Sequence, residues 1–355
     1  MRGGLPQCMG SGDLSRPSPA KAPMTRMLIY EPSYRRLQAR FAPHAGRLAL
    51  LRLQPDGTIL RDGAAIEAEA AGAEIGWLNT DLFGQPAARD YMLGLLKSPS
   101  LKWVQSGAAG FDNPAFHQIV RKGAILTTNH SQAVGMSEYV LTTVLDHLHR
   151  GPDRRAAQAA HRWAPAPYRE MAGTHWLIIG FGAIGQETAR RAKAFGVTVT
   201  GVRRSPGAHT LADAMATPDR IPALLPDADV VVLSLPLSAQ TADMVDAKFL
   251  AAMKPGSIFV NVGRGGLVDE DALLAALDAG KPEHAVLDVF KTEPLPAESR
   301  FWDHPRVTMT PHASPLGSGL GARSDALFLD NLGRFLSGQP LLNQVSAQEV
   351  LGEAA

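Results

Sequence analysis

The chain reads as short apolar runs separated by stretches with helical periodicity. In the first part the runs fall at residues 27–30, 48–53, 74–77, 101–105 and 124–127. Each is too short for a buried helix, and the segments between are long enough for crossovers. The pattern predicts five parallel strands in a small α/β layer structure. Residues 136–149 follow, with Met136, Val140, Val144 and Leu148 on one helical stripe and Leu141 and Leu145 beside it. This is a long helix, expected to link two domains.

Six more runs come next, at 176–179, 197–202, 230–235, 258–262, 285–289 and 307–310. The first leads directly into Gly180-Phe-Gly-Ala-Ile-Gly185, and a helical pattern follows. Strand, glycines and helix together are what a dinucleotide pyrophosphate site requires. Gly180 allows the tight turn, Gly182 lets the backbone approach the phosphates, and Gly185 lets the helix pack close to the sheet. The N–H groups of the helix start, at Ala183 and Ile184, then face the anion. After Pro311 an amphipathic stretch at 325–336 puts Phe328, Leu332, Phe335 and Leu336 on one face. The six strands are already used, so this helix is expected to return to the first domain. The expected fold is α/β with two doubly wound parallel-sheet domains. A Rossmann coenzyme domain (131–315) is inserted in a flavodoxin-like domain (24–130), to which residues 316–345 return.

Composition narrows the function classes. At 355 residues the chain can form two cores, and 45% hydrophobic with 19% charged residues is ordinary for a globular protein. The formal net charge of +1 gives no broad field for nucleic acid or an anionic membrane. No apolar run approaches the ~20 residues of a membrane-spanning helix. The one cysteine, Cys8, excludes an intramolecular disulfide and suits a cytoplasmic location. Residues 1–23 are rich in Gly, Pro and Ser, and read as a disordered tail or as sequence upstream of a start at Met24 or Met27.

The second strand of the dinucleotide sheet selects the cofactor. A site for NAD(H) usually carries Asp or Glu at that strand's end, where the carboxylate accepts from the ribose hydroxyls. Here the strand ends Thr200-Gly-Val-Arg-Arg-Ser205, with no carboxylate. Arg203, Arg204 and Ser205 match a ribose 2′-phosphate in charge and hydrogen-bonding capacity. NADP(H) is therefore expected over NAD(H), which stays possible; a solvated basic turn is the bland alternative.

Three polar residues stand at or just beyond the carboxyl ends of predicted strands, where open α/β sheets bind ligands. They are Arg264, Glu293 and His312. Adding hydride to a ketone leaves negative charge on oxygen, so a proton must be supplied there. Histidine can give it, a carboxylate can orient the imidazole, and an arginine can polarise the carbonyl and hold a carboxylate. Taken singly, each has a structural explanation as a cap, a surface acid or a loop histidine.

At these motifs the chain resembles the D-isomer-specific 2-hydroxyacid dehydrogenase family, from Met24 to about Val345. The blocks that carry the resemblance are the fingerprint, Met253-Lys-Pro-Gly-Ser-Ile-Phe-Val-Asn-Val-Gly-Arg-Gly-Gly-Leu-Val-Asp-Glu270, Leu287-Asp-Val-Phe-Lys-Thr-Glu-Pro-Leu-Pro296 and Thr310-Pro-His-Ala-Ser314. The resemblance implies that Arg264, Glu293 and His312 are catalytic, with His312 the general acid in reduction. It places Asp288 near the nicotinamide carboxamide. It also assigns Met136, Val262, Gly263 and Ser314 to the cofactor site, and Leu235, Pro236 and Thr241 to a loop over the adenosine side. Gln105-Ser-Gly-Ala-Ala-Gly-Phe-Asp112 is similar to the family's carboxylate-binding loop, which implies backbone donors at Ala109 and Gly110. Met136-Ser-Glu-Tyr139 and the Arg203 turn look like the glyoxylate/hydroxypyruvate reductase branch, in which the Trp77 region and Trp163 shape the substrate pocket. The resemblance further implies a homodimer, and domain closure is expected about hinges at 129–135 and 311–317. Pro315 departs from the family, where glycine is common. No metal site is expected. The expectation is an NADPH-preferring reductase of small 2-oxo acids. The rivals are an enzyme for bulkier, aromatic 2-oxo acids and a non-catalytic NAD(P)-sensing protein on the same fold.

Overall fold

The computed structural model describes residues 24–351 apart from Asp112 and Pro206. The expected tail at 1–23 and Cys8 lie outside the described residues. The first part of the chain forms β1 (Thr25–Tyr30), β2 (Leu48–Leu53), β3 (Ile59–Arg61), β4 (Ala64–Ile66), β5 (Ile75–Leu78), β6 (Trp103–Ser106) and β7 (Ile125–Thr127). The second part forms β8 (His175–Ile179), β9 (Thr198–Val202), β10 (Ala214–Ala216), β11 (Val230–Leu233), β12 (Ile258–Asn261), β13 (His284–Leu287) and β14 (Val307–Met309). A last short strand, β15 (Gln344–Val345), returns to the first sheet.

The first sheet runs β15-β7-β6-β5-β1-β2-β3-β4. Its five expected strands are parallel in the order β2-β1-β5-β6-β7, a flavodoxin-like winding. Three additional strands are antiparallel. β3 and β4 form a hairpin whose turn residues Asp62 (φ 50) and Gly63 (φ 87) are both left-handed. That geometry suits the right-handed twist of a two-residue hairpin, and Asp-Gly favours it.

The second sheet is wholly parallel, in the order β10-β9-β8-β11-β12-β13-β14. The six expected strands are present and β10 is a seventh. Ala-Met-Ala at an edge carries too little apolar surface to stand out as a run. Both faces of this sheet are covered, one by the core around Leu177, Val231 and Phe259, the other by that around Trp176, Val232 and Val260. Successive residues of a parallel strand therefore all meet apolar neighbours, which is why these strands read as unbroken runs.

Two helices join the domains. Ala133–Leu148 buries Met136, Val140, Val144 and Leu148 beside Ala189 and Ala192 of the helix Ala183–Ala194, so it packs with the second domain. Leu320–Leu336 packs Phe328 and Leu332 onto the first sheet, among Met27, Ile29, Trp77 and Trp103. The return continues beyond residue 345: Val350, in the helix Ala347–Leu351, is buried in the first domain's core. At the crossing between domains, a methyl group built on Gly135 or on Gly317 would stand 3.5 Å from the other glycine's Cα. Asn129, fully buried, donates to the Gly107 carbonyl and to Ser324 Oγ, both at 3.0 Å. One side chain thus ties the first crossover to a loop of the first sheet and to the returning helix.

Candidate active site

The fingerprint makes the turn its glycines allow. Gly180 has φ 98, and a Cβ there would lie 2.6 Å from the Ser234 carbonyl carbon. A Cβ on Gly185 would lie 2.4 Å from the Gly180 oxygen, so the helix start rests directly on the turn. At Gly182 a Cβ would meet nothing within 4 Å. The backbone there faces open space, and no side chain caps the helix Ala183–Ala194 that begins at this point. Its first N–H groups have no intrahelical acceptor. An anion such as a pyrophosphate fits this position by charge and by clearance. β11 ends at Leu233, so Leu235 and Pro236 lie in the loop beside Gly180. A Cβ on Gly263 would lie 2.9 Å from the Leu235 oxygen, which brings the Val262–Gly263 turn against the same loop. Thr241 Oγ1 receives the Ser238 N–H at 2.8 Å and donates to the Pro236 carbonyl at 3.0 Å, closing that loop on itself. Met136 is buried in the core that also contains Phe181 and Val262.

The β9 turn stands next to the fingerprint, since the Val202 carbonyl accepts from both Gly180 and Phe181 N–H at 3.0 and 3.1 Å. Arg203, Arg204 and Ser205 are exposed. Arg203 Nε donates to the Ser205 carbonyl at 2.7 Å, folding the turn. Arg204 is 3.6 Å from Glu349, which belongs to the returning C-terminal helix. Two guanidinium groups and a hydroxyl beside the fingerprint fit a 2′-phosphorylated dinucleotide.

The structure brings Glu293 and His312 together. His312 Nδ1 is 2.8 Å from Glu293 Oε2, and Glu293 Oε1 accepts the Phe290 N–H at 3.0 Å. The carboxylate is thus fixed by backbone on one side and fixes the imidazole on the other. A carboxylate at Nδ1 requires a proton there, so Nε2 is the nitrogen available to a reactant. His312 has φ 51, unusual for a side chain of this size. Its N–H donates to the Asp288 carbonyl at 2.8 Å, which holds the conformation.

Arg264 follows β12 and opens the short turn Gly265–Leu267. Buried Asn261 organises it: Asn261 Oδ1 accepts from Gly263 N–H and Nδ2 donates to the Arg264 carbonyl, both at 3.0 Å. A Cβ on Gly265 would stand 1.9 Å from the Phe290 carbonyl carbon, so this turn presses on the backbone that anchors Glu293. Asn261 was not singled out in the sequence. The available signal was an Asn two residues before a Gly, the pattern of an Asx turn.

Asp288 and Ser314 are joined in one buried network. Asp288 is fully buried. Its Oδ1 accepts from Thr310 Oγ1 at 2.6 Å, Ala313 N–H at 2.8 Å and Ser314 N–H at 3.0 Å, while Oδ2 accepts from Ser314 Oγ. Four donors match the acceptor capacity of one carboxylate. Asp288 therefore shapes the loop that carries His312, and the hydroxyl and N–H of Ser314 are both engaged by it. Tyr139 extends the network, with its Oη 2.9 Å from Thr310 Oγ1. Thr310 gives its one proton to the carboxylate, so Tyr139 must donate to Thr310. Burial, with the charge of Asp288 adding, pushes the Tyr139 hydroxyl up to about 12, which keeps that proton in place.

The carboxylate loop is part of the first sheet's C-terminal edge. Ala108 N–H donates to Ser106 Oγ at 3.0 Å, and the Ala108 carbonyl accepts from Asn129 N–H at 2.9 Å. With its amide set to satisfy both ends, Gln132 accepts from Ala109 N–H at 2.8 Å and donates to the Asn129 carbonyl at 2.9 Å. Gly110 N–H meets no acceptor among the described residues. Trp77, expected in the substrate pocket, is instead a core residue with no exposed surface. Its ring stacks on Phe328 at 4.1 Å and 2°. β5 is covered on both faces, and the face that Trp77 occupies belongs to the returning helix. Trp163 is 97% exposed on a segment outside any strand or helix. No group of three or more His, Cys, Asp or Glu among the described residues could hold a metal ion. No helix among them is long and apolar enough to cross a membrane.

Comparison with known proteins adds an independent line. Residues 141–314 match the family model "D-isomer specific 2-hydroxyacid dehydrogenase, NAD binding domain". The chain is 34% identical to glyoxylate/hydroxypyruvate reductase A of Serratia proteamaculans over 181 residues, 51% of this chain and 58% of that protein. The matched stretch is thus less than two thirds of that relative's length. It is 33% identical to glyoxylate/hydroxypyruvate reductase B of Pectobacterium atrosepticum over 266 residues, 72% of this chain and 82% of the relative. Among solved structures, the NADPH-dependent glyoxylate/hydroxypyruvate reductase of Sinorhizobium meliloti, in complex with NADP and sulfate, aligns with TM-score 0.72 and 27% identity. That alignment covers 92% of this chain and 100% of the other.

Proposed function

The chain belongs to the D-isomer-specific 2-hydroxyacid dehydrogenases, and on that premise we propose that it is an NADPH-preferring reductase of small 2-oxo acids such as glyoxylate and hydroxypyruvate. The observation that carries this reading is the His312–Glu293 pair, held at 2.8 Å beyond the strand ends of a sheet whose fingerprint stands beside two exposed arginines.

Fingerprint N–H groups would hold the pyrophosphate, and Arg203, Arg204 and Ser205 the 2′-phosphate. NAD(H) can occupy the same cradle without using those arginines. When bound, the nicotinamide supplies hydride to C2 of the substrate. The chain's own residues do the rest. Loop N–H groups and Arg264 bind the substrate carboxylate, and the guanidinium polarises the ketone as charge develops on its oxygen. His312 Nε2 delivers a proton to that oxygen, while Glu293 keeps the ring aimed and balances the charge of the imidazolium. Closure of the two domains brings substrate and cofactor into line and excludes water.

We extend the proposal to the assembly and its location. Trp163, almost fully exposed outside any strand or helix, suits burial against a second copy in a homodimer. A demand for reduced nicotinamide fits a cytoplasmic site of action. Light scattering of the purified protein tests the first point, with a monomer the contrary result.

The activity is tested by NADPH oxidation against 2-oxo acids of graded size. Turnover should be highest with the smallest and should collapse in His312→Ala. A preference for aromatic 2-oxo acids would replace the substrate assignment. Cofactor binding with no turnover of any 2-oxo acid would remove the catalytic one.

A further inference from the structure

We propose that Gln132 is a displaceable latch on the carboxylate loop, holding in the absence of substrate the Ala109 donor that a 2-oxo acid's carboxylate uses. The inference rests on the reductase reading above.

Gln132 sits where such a latch would have to sit. It directly precedes the helix Ala133–Leu148 that leads into the second domain, and it occupies that helix's N-cap position without capping it. Its side chain turns back into the first domain, where it is 8% exposed. There the amide bridges the Ala109 N–H, at 2.8 Å, and the Asn129 carbonyl, at 2.9 Å. One end of the amide is therefore on the substrate loop and the other on the hinge.

The chemistry of the two acceptors sets the order of events. Ala109 is half-buried, and with no substrate present its N–H takes the Gln132 oxygen as its acceptor. A neutral amide oxygen does this adequately. A carboxylate does it better, because a charge-assisted hydrogen bond is about twice as strong. Gly110 N–H, with no acceptor of its own, offers the incoming carboxylate its first contact. As the second carboxylate oxygen takes Ala109, Gln132 is released together with its hold on Asn129. The same exchange that seats the substrate then unfastens the hinge end of the linking helix.

The test compares Gln132→Met and Gln132→Glu with the natural protein. It reads KM and kcat for glyoxylate with NADPH, and oxalate binding to the NADP-loaded enzyme by calorimetry. Methionine keeps the side-chain length and removes the acceptor. It should lower KM and the oxalate Kd by about two- to tenfold, the range of one net hydrogen bond, with a smaller change in kcat. Glutamate places a carboxylate in the slot. It should raise KM more than about tenfold, with relief as acid protonates it. A methionine variant with unchanged or raised KM and oxalate Kd, in an enzyme whose natural form does both jobs, overturns the latch alone. A natural protein that neither binds oxalate nor turns over any 2-oxo acid overturns the reductase reading, and the latch with it.

Discussion

Glu293 offers one oxygen to His312 Nδ1 at 2.8 Å and the other to the Phe290 backbone at 3.0 Å, so the imidazole is aligned by a carboxylate that is itself held by the backbone. Replacing Glu293 by Gln keeps the shape and removes the charge. We expect kcat/KM for 2-oxo acid reduction to fall about 10- to 100-fold. His312→Gln, which removes the proton donor, should lose about 10²- to 10⁴-fold. NADPH affinity, read by fluorescence titration, should change little in either.

Arg203 and Arg204 are expected to act on cofactor preference in different ways. Arg203→Ala should raise the KM for NADPH about tenfold or more, and that for NADH less than about twofold. Arg204 faces a competitor, Glu349, at 3.6 Å. The pair is exposed, so Glu349→Gln should tighten NADPH by only about two- to threefold. An equal effect on NADH would show that the 2′-phosphate is not involved.

Asp288→Asn tests the loop that carries His312. An amide nitrogen in place of a carboxylate oxygen would face donors with a donor in a fully buried site. The cost should be about 1–3 kcal/mol of stability, seen by denaturant unfolding. Because the same carboxylate sets the His312 loop, kcat should fall by more than the loss of folded protein accounts for.

Trp77 should matter to folding rather than to substrate. Trp77→Ala removes one of the two rings stacked on Phe328 and leaves a cavity, at about 3–5 kcal/mol. The KM of whatever fraction remains folded should stay within about twofold. A large rise in KM without loss of stability would return Trp77 to the pocket.

Acid should weaken the second domain through two stacked histidines. His284 and His147 lie 4.1 Å apart. Burial, with the charges of His147 and Arg306 adding, lowers His284 from 6.5 to about 3. Burial also lowers His147, against the pull of Glu283. A histidine whose folded value is depressed is neutral in the fold and takes up protons on unfolding. Stability is therefore full above pH ~6.5 and is lost as pH falls toward 3. His284 alone should account for about 2 kcal/mol between pH 7 and pH 5. In His284→Gln, which can still meet Thr308 Oγ1, unfolding midpoints should fall less over that interval.

The parts of the fold legible in the sequence are those where burial is two-sided. β1, β8 and β11 read as apolar runs because both faces are covered, and the glycines of the fingerprint mark a turn that little else can make. Edges were less legible. β10 and β15 carry few large apolar residues, and the β3–β4 hairpin announces itself only through Asp62-Gly63. Two-sided burial also explains the error at Trp77. Alternation is silent when both faces are apolar, so nothing local says that this ring meets Phe328, some 250 residues later. Arg264, Glu293 and His312 were legible as polar residues at or beyond strand ends, and the structure pairs the last two at 2.8 Å. Asp288 was visible as a residue, but its part in shaping the His312 loop was not, because a count of its donors exists only in three dimensions.

Gly135 and Gly317 touch where the chain leaves the first domain and where it comes back. The inserted domain is therefore moored at one point rather than at two separated ones. Rotation about that crossing would strain the two chain connections less than sliding one sheet past the other. The width of the cleft between the two sheets then depends on the angle taken at that crossing. A side chain larger than hydrogen at either glycine would bias that angle without touching a reacting atom.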